Sequence, residues 1–171
     1  MKGLWTALSF LTILPVRNPE SRSPGDFGKA VLWFPMVGVL IGGLLMGAYW
    51  LLRDIPAGVR SALLLMLWVI MSGGLHLDGL ADCLDGLLAS TTVERRLEIM
   101  RDSRTGAYAV VGIVVVLLLK NAALGSITSM EALLFAPAAG RSALLLGALF
   151  PSARSSGLGA AFRDALSPVR A

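Results

Sequence analysis

Three aspartates recur at short intervals in the segment GGLHLDGLADCLDGLLAS, which lies between long apolar stretches of the chain. Asp78, Asp82 and Asp85 are separated by four and three residues, steps that return to one side of an α-helix. Crowded carboxylates repel one another unless a cation neutralises them. Because Mg²⁺ and Mn²⁺ prefer oxygen ligands, often carboxylates together with substrate phosphate, the spacing predicts a metal site for phosphoryl chemistry beside a membrane. The alternative, a solvated acidic helix, fits poorly with neighbours that are mainly Leu, Gly and Ala.

The same segment contains the only histidine and the only cysteine of the chain. His76 precedes Asp78 by two residues, so a continuous helix points it away from the aspartate face. A single histidine excludes a zinc site built from several histidines. The residue type leaves three roles open for His76: a neighbour of the metal, a general base or a polar residue at the interface. A thiol among carboxylates is poorly placed to form a thiolate, so we do not expect Cys83 to act as a nucleophile.

A second polar group, RDSRTG, occupies residues 101–106. Arg101 and Arg104 can each hold phosphate oxygens with two parallel hydrogen bonds, and Asp102 could supply a further metal ligand. Gly106 allows the backbone to approach a ligand at the start of an apolar helix, where N–H groups attract anions. The alternative is an ordinary charged turn at the membrane boundary.

Composition places the chain in a membrane. Of its 171 residues, 56% are hydrophobic and 15% are charged, with a mean hydropathy of +0.74, whereas soluble domains have about 45–50% apolar and about 25% charged residues. We therefore predict an all-α fold, a polytopic integral membrane helical bundle that forms a single membrane domain over residues 1–171. It comprises an N-terminal interfacial helix, a cytoplasmic acidic helical loop and about four transmembrane helices. Each predicted span has roughly 20 residues, enough to cross a hydrocarbon core: Ala30–Leu52, Ala57–Leu75, Ala107–Thr128 and Ala132–Phe150.

The segments between the spans have their own patterns. The amphiphilic run Lys2–Val16 is too short to span upright, and no small-x-small cleavage site follows it, so an interfacial helix is favoured over a signal peptide. A Pro-, Ser- and Gly-rich connection follows at Asn18–Phe27. Thr91–Arg104 is predicted to be a second polar helix, with Thr91 or Thr92 as its N-cap.

Some residues within the spans are unusual for a membrane helix. Lys120 and Arg141 are cations that either line a polar pocket or extend to the membrane surface. Arg141 and Pro137 also make the fourth span the weakest. Two glycine pairs have the small-xxx-small spacing that allows close helix packing, namely Gly38 with Gly42 and Gly43 with Gly47.

Positive residues are distributed unequally between the two sides of the membrane. Eleven precede the first span or follow the second and fourth, whereas two follow the first span: Arg53, and Arg60 in the first turn of the second. The positive-inside rule therefore places the N-terminus, residues 76–106 and the C-terminus in the cytoplasm. The net charge of +4 follows from this bias, and no nucleic-acid module is recognisable. The eleven residues are Lys2, Arg17, Arg22, Lys29, Arg95, Arg96, Arg101, Arg104, Arg154, Arg163 and Arg170.

These motifs resemble those of the cobalamin synthase family, formally the adenosylcobinamide-GDP ribazoletransferases. The resemblance rests on GGLHLDGLADCLDGLL, on RRLEIMRDSRTGAYAV with the following LLLK, and on WTALSFLTILPVR, FPMVGVLIG and GLGAAF, and covers essentially the whole chain. It implies a Mg²⁺-dependent, multi-pass enzyme of the bacterial cytoplasmic (inner) membrane. The implied reaction transfers the adenosylcobinamide-phosphate group from adenosylcobinamide-GDP to α-ribazole or its 5′-phosphate and releases GMP, late in B12 biosynthesis. A homo-oligomer is compatible with this resemblance.

The resemblance also implies a set of functional residues in the cytoplasmic segment 76–106. The implied catalytic residues are His76, Asp82, Asp85, Asp102 and Arg104. The implied metal ligands are Asp78, Asp82, Asp85 and Asp102. Substrate phosphate would be bound by Arg101, Ser103, Arg104 and Gly106.

One departure from the family and two alternative functions qualify this interpretation. Members of the family usually continue into further spans with an acidic motif of the GDTLGA type, which this sequence lacks, so we expect the 171-residue form to be weak or inactive alone. A CDP-alcohol phosphotransferase would match the opening of its motif at Asp82-x2-Asp85-Gly86, but Ala89-Ser90 stands where Ala-Arg is required. A small cation transporter fits less well, because the carboxylates lie beside the spans instead of at mid-membrane.

Overall fold

The computed structural model describes residues 2–15, 30–147, 150–151 and 157–166 of the chain. Over these residues the regular elements are helices, which confirms the predicted all-α fold. The predicted connection Asn18–Phe27 lies outside the described residues, as do five of the positive residues, Arg17, Arg22, Lys29, Arg154 and Arg170. The α-helices are α1 (Lys2–Leu11), α2 (Phe34–Leu51), α3 (Ala57–Met71), α4 (Leu75–Leu88), α5 (Val93–Ile99), α6 (Ala107–Gly125), α7 (Glu131–Gly147) and α8 (Leu158–Leu166).

The chain divides into two compact units. The first consists of Met1–Leu52 and Thr128–Ala171 and contains α1, α2, α7 and α8. Three aromatic rings join its shorter helices to α2: Phe10, Phe34 and Phe162 lie with ring centroids between 5.5 and 6.3 Å apart. Such stacked and edge-to-face contacts fix α1 and α8 against the start of α2.

Glycines determine how closely α2 and α7 pack. A Cβ atom at Gly42 would lie 2.6 Å from the carbonyl oxygen of Leu134, and Gly38 makes a similarly close approach to α7. Gly43 and Gly47 have no neighbouring atom within 4 Å of the position of a Cβ. The predicted packing role is therefore confirmed for Gly38 and Gly42, and is wrong for Gly43 and Gly47 within the described residues.

The second unit, Arg53–Ile127, contains α3, α4, α5 and α6. Helix α6 packs against both α3 and α4, and α5 packs against α4. Helix α4 is bent by 88° from α3. The chain makes this bend through Gly73 and Gly74, which have φ angles of 63° and 70°. Residues other than glycine rarely adopt such positive φ angles.

Two helical stretches are long and apolar enough to cross a membrane, Val31–Leu51 and Ala107–Gly125, and a third crossing results if α3 and α4 form one broken span. The chain is thus a membrane protein by the length and composition of its described helices. The predicted number of four spans is not confirmed. Helices α3 and α7 have 15 and 17 residues, fewer than the roughly 20 that cross a hydrocarbon core.

Candidate functional site

Helix α4 carries four of the predicted site residues on one continuous stretch, Leu75–Leu88. The helical spacing predicted for Asp78, Asp82 and Asp85 is therefore confirmed. Asp78 and His76 are exposed, whereas Asp82 and Asp85 are partly buried. Because α4 packs against α6, its C-terminal half brings a carboxylate to the beginning of that helix.

The carboxylate of Asp85 caps the N-terminus of α6. Its Oδ2 accepts a hydrogen bond from the Gly106 N–H at 2.6 Å, and its Oδ1 accepts one from the Ala109 N–H at 2.9 Å. The first N–H groups of a helix have no partner within the helix, and Asp85 satisfies two at this end from a distant part of the sequence. A Cβ atom at position 106 would lie 2.6 Å from Oδ1. Gly106, predicted to make room for substrate phosphate, thus makes room for a carboxylate of the same chain.

The residues on either side of Asp85 also make close contacts. Leu84 lies so near Gly112 of α6 that a side chain at position 112 would collide with it. Gly86 is buried, and a Cβ atom there would lie 2.6 Å from Cγ of Met100. Three consecutive residues of α4 are therefore fixed by the elements around them, which determines the rotation of α4 about its axis.

Helix α5 is shorter than predicted. Thr92, one of the two predicted N-caps, accepts a hydrogen bond from a first-turn N–H at 3.4 Å. The helix ends at Ile99, so the predicted polar helix is confirmed, whereas its predicted extension to Arg104 is wrong. The physical reason lies in Asp102, whose Oδ1 accepts the backbone N–H of Arg104 at 3.0 Å. This side-chain turn competes with the helical hydrogen bonds.

Asp102 and Arg104 form an ion pair within this turn. The Arg104 Nη2 lies 2.6 Å from Oδ2 of Asp102, and its Nε lies 3.0 Å from both carboxylate oxygens. Hydrogen bonds from the Arg104 side chain and backbone lower the pKa of Asp102 to about 2, and the carboxylate raises the pKa of Arg104. Arg101 and Ser103 are exposed beside the pair. The turn thus presents two guanidinium groups and a hydroxyl to solvent.

The ring of His76 is held by a residue that the sequence did not single out. Ser72, at the end of α3, lies with its Oγ 3.2 Å from the His76 Nδ1. The Ser72 hydroxyl donates to the Trp68 carbonyl oxygen at 2.9 Å, so the contact with the ring is a hydrogen bond when Nδ1 carries the proton. That tautomer leaves the lone pair on Nε2. The sequence signal that could have predicted this contact is the spacing of four residues between Ser72 and the only histidine of the chain.

The four predicted metal ligands do not form one group. Within the part of the chain that the structure describes, no three His, Cys, Asp or Glu side chains are placed to hold a metal ion. Asp85 faces the N–H groups of α6, and Asp102 faces Arg104. As arranged, these residues do not fit a Mg²⁺ site, and Mg²⁺ stays a prediction.

The two cations predicted to lie within spans have partners near them. The Lys120 Nζ lies 4.8 Å from the ring centroid of Trp68 on α3, a distance typical of a cation–π contact. In α7, the Arg141 Nη1 donates to the Pro137 carbonyl oxygen at 3.3 Å. Each contact offsets part of the cost of a charge on an apolar helix.

Comparisons with known proteins agree with the motifs. A family model described as cobalamin-5-phosphate synthase matches residues 3–171. Curated relatives named adenosylcobinamide-GDP ribazoletransferase include those of Pseudomonas syringae pv. syringae, Pseudomonas entomophila and Desulfitobacterium hafniense, which are 47%, 47% and 40% identical to the chain. These matches cover 97%, 100% and 99% of the chain and 70%, 72% and 70% of the relatives. No solved structure matches.

Proposed function

The chain belongs to the cobalamin-5-phosphate synthase family, and we propose that it carries out the reaction for which its relatives are named. It transfers the adenosylcobinamide-phosphate group from adenosylcobinamide-GDP to α-ribazole or its 5′-phosphate, releasing GMP and forming adenosylcobalamin or its 5′-phosphate. The observation that carries this proposal is an identity of 47% over 97% of the chain to a relative of that name. The segment 76–106, which holds the candidate site residues, lies within a single compact unit.

The reaction joins an alcohol to a phosphate. The α-ribazole hydroxyl oxygen forms a bond to the phosphorus attached to the cobinamide side chain. The bond between that phosphorus and the oxygen bridging to the GMP phosphate breaks, and GMP leaves with the electron pair. The hydroxyl proton goes to a base, for which His76 and Asp82 are the candidates on α4. For His76, Nε2 is the nitrogen that takes the proton in the tautomer whose Nδ1–H donates to Ser72.

The exposed turn before α6 supplies the positive charge for the diphosphate. Arg101 and Arg104 can each give two parallel N–H donors to phosphate oxygens, and the Ser103 hydroxyl adds another. Asp102 holds Arg104 through its Nε and Nη2, which limits the conformations that the guanidinium must lose when it binds an anion. We assign the turn to binding and orientation of the leaving GMP.

The proposed reaction steps do not involve Mg²⁺, because Asp85 and Asp102 face hydrogen-bond donors and the described residues do not form a group of metal ligands. Magnesium dependence remains a separate proposal drawn from the family resemblance. Chelation by EDTA followed by readdition of Mg²⁺ tests it directly, since a dependent enzyme loses and then recovers its rate.

The proposed place of the reaction is the cytoplasmic face of the bacterial inner membrane. The support is the unequal distribution of positive residues, eleven on one side against two, which the positive-inside rule assigns to the cytoplasm. The bilayer itself is then a partner of the protein, since many large apolar side chains of α2 and α6 are exposed.

The decisive experiment measures GMP release by the purified, detergent-solubilised protein from adenosylcobinamide-GDP and α-ribazole. We expect GMP and the joined corrinoid in equal amounts, at whatever low rate the 171-residue form supports, and no GMP when α-ribazole is omitted. A second reaction mixture contains a CDP-alcohol and an alcohol acceptor in place of the corrinoid. Release of CMP there, with no GMP from the corrinoid, would reject the proposed function in favour of a phospholipid-type phosphotransferase.

A further inference from the structure

Helix α6 has no N-terminal side-chain cap from its own N-cap residue. Its N-cap position is Gly106, no side chain there accepts a hydrogen bond, and the first turn contains no acidic residue. An uncapped helix leaves N–H groups unsatisfied and presents the positive end of its dipole. For an apolar helix that can cross a membrane, unsatisfied N–H groups near the hydrocarbon region are especially costly.

The missing cap comes from α4. Both oxygens of Asp85 accept hydrogen bonds at this terminus, from Gly106 and from the fully buried Ala109. The absence of a side chain at Gly106 leaves room for the carboxylate, because a Cβ atom there would lie 2.6 Å from Oδ1. We propose that Asp85 is a positioning residue whose carboxylate fastens α4 to the start of α6, and that it is not a ligand of a catalytic metal.

The two roles oppose each other physically. A divalent cation on the Asp85 carboxylate would lie beside the positive end of α6 and compete with two N–H donors for the same oxygens. Like charges repel most strongly where water is partly excluded, and this carboxylate is partly buried. The positive potential at this helix terminus therefore stabilises the negative carboxylate, whereas it would destabilise a metal cation bound there.

The cap also determines where the turn 101–105 lies. Gly106 follows the turn directly, so the hydrogen bond from its N–H to Asp85 sets the position of Arg104 relative to α4. The catalytic consequence rests on the proposed function. If the cap is lost, we expect the KM for adenosylcobinamide-GDP to rise more than kcat falls, because a binding group is displaced while the base stays on α4.

The first test uses the unaltered protein and needs no turnover. Residue-resolved amide hydrogen exchange in detergent micelles should show protected N–H groups at Gly106 and Ala109, although helix starts normally exchange rapidly. Addition of Mg²⁺, or of Mn²⁺ as a second probe, should leave this protection unchanged. Rapid exchange at both amides, or loss of protection when the metal ion is added, would overturn the proposal.

The second test separates a cap from a ligand by two substitutions. Asp85→Asn removes one acceptor, and Gly106→Ala displaces the carboxylate without removing any ligand. Both should accelerate exchange at Ala109, on the order of tenfold as expected for a lost capping bond, and leave the Mn²⁺ affinity measured by electron paramagnetic resonance unchanged. Asp78→Asn is the matched control, because it removes an exposed carboxylate of the same helix, and exchange at Ala109 should not change.

The opposite pattern would make Asp85 a ligand. In that case Asp85→Asn weakens Mn²⁺ binding roughly tenfold or more, Gly106→Ala does not, and exchange at Ala109 stays slow in both variants. These readouts are separate from the enzymatic activity. Protected amides support the cap whether or not the protein releases GMP, so a failure of the cap and a failure of the proposed function are distinguishable.

Discussion

Single side chains in the turn before α6 are held by one another. Asp102 binds Arg104 through the guanidinium and through the backbone N–H, so the ion pair is a local structure and not only a pair of opposite charges. A guanidinium has five N–H donors, and the pair uses those on Nε and Nη2. Donors therefore remain for a phosphate, and the carboxylate orients the arginine that would bind it.

Arg104→Lys should impair substrate binding because a lysine lacks the planar arrangement of paired donors. We expect the KM for adenosylcobinamide-GDP to increase about tenfold with a smaller change in kcat. Steady-state GMP release measures both constants. Arg95→Lys is the control: Arg95 is also exposed and paired, with Glu98 at 2.7 Å, and its replacement should leave the KM unchanged. An unchanged KM in Arg104→Lys would remove this residue from the phosphate site.

The Asp102–Arg104 pair should survive mild acid. Its hydrogen bonds lower the pKa of Asp102 from 3.8 to about 2, so the contribution of the pair is fully present above about pH 3.8 and is lost as the pH falls toward 2. A carbon NMR titration of the Asp102 carboxylate in micelles measures this midpoint. Arg104→Gln should return the midpoint toward 3.8. A midpoint at or above that value in the unaltered protein would contradict the observed pair.

Individual elements were predictable where hydrophobicity and spacing act locally. The long apolar runs became helices, and the aspartate spacing on α4 was correct because it depends only on the helical repeat. The end of α5 was not predictable from the acidic pattern, since the side chain of Asp102 turns back to its own backbone. Asp85 was identified from the sequence as a metal ligand, and Gly106 as part of the substrate-phosphate site. Their mutual contact joins residues 21 positions apart, and no local periodicity reports it.

The two glycine pairs of α2 give a matched test of packing. Gly42→Ala should destabilise the first unit by about 1–3 kcal/mol, because the added methyl group meets the backbone of α7. Gly43→Ala, at the adjacent position with open space around it, should instead stabilise α2 by roughly 0.5–1 kcal/mol through its better helix propensity. Thermal unfolding in one detergent compares the two variants. Equal effects of both substitutions would mean that α2 and α7 do not pack through Gly42.

The molecule as a whole was recognised as a membrane protein from composition alone, but the number of spans depends on geometry. Helix α3 has 15 residues, about 22 Å at 1.5 Å per residue, and α4 departs from it at 88°. The sequence of α3 is apolar enough to predict a span, yet hydropathy carries no information about a bend at two glycines with positive φ. The pair is either a broken span or a re-entrant loop.

Labelling of two cysteines from either side of the membrane, one native and one introduced, distinguishes these two arrangements. Cys83 is the only cysteine of the chain and is exposed on α4. A membrane-impermeant maleimide should label it in inside-out vesicles and not in intact cells, as the positive-inside rule requires.

Asp54, whose side chain is 91% exposed in the turn before α3, provides the second labelling site as Asp54→Cys in a Cys83→Ser background. If α3 crosses the membrane, the two cysteines react from opposite sides. Labelling of both from the same side would show that α3 and α4 re-enter, and labelling of Cys83 from outside intact cells would reverse the proposed orientation.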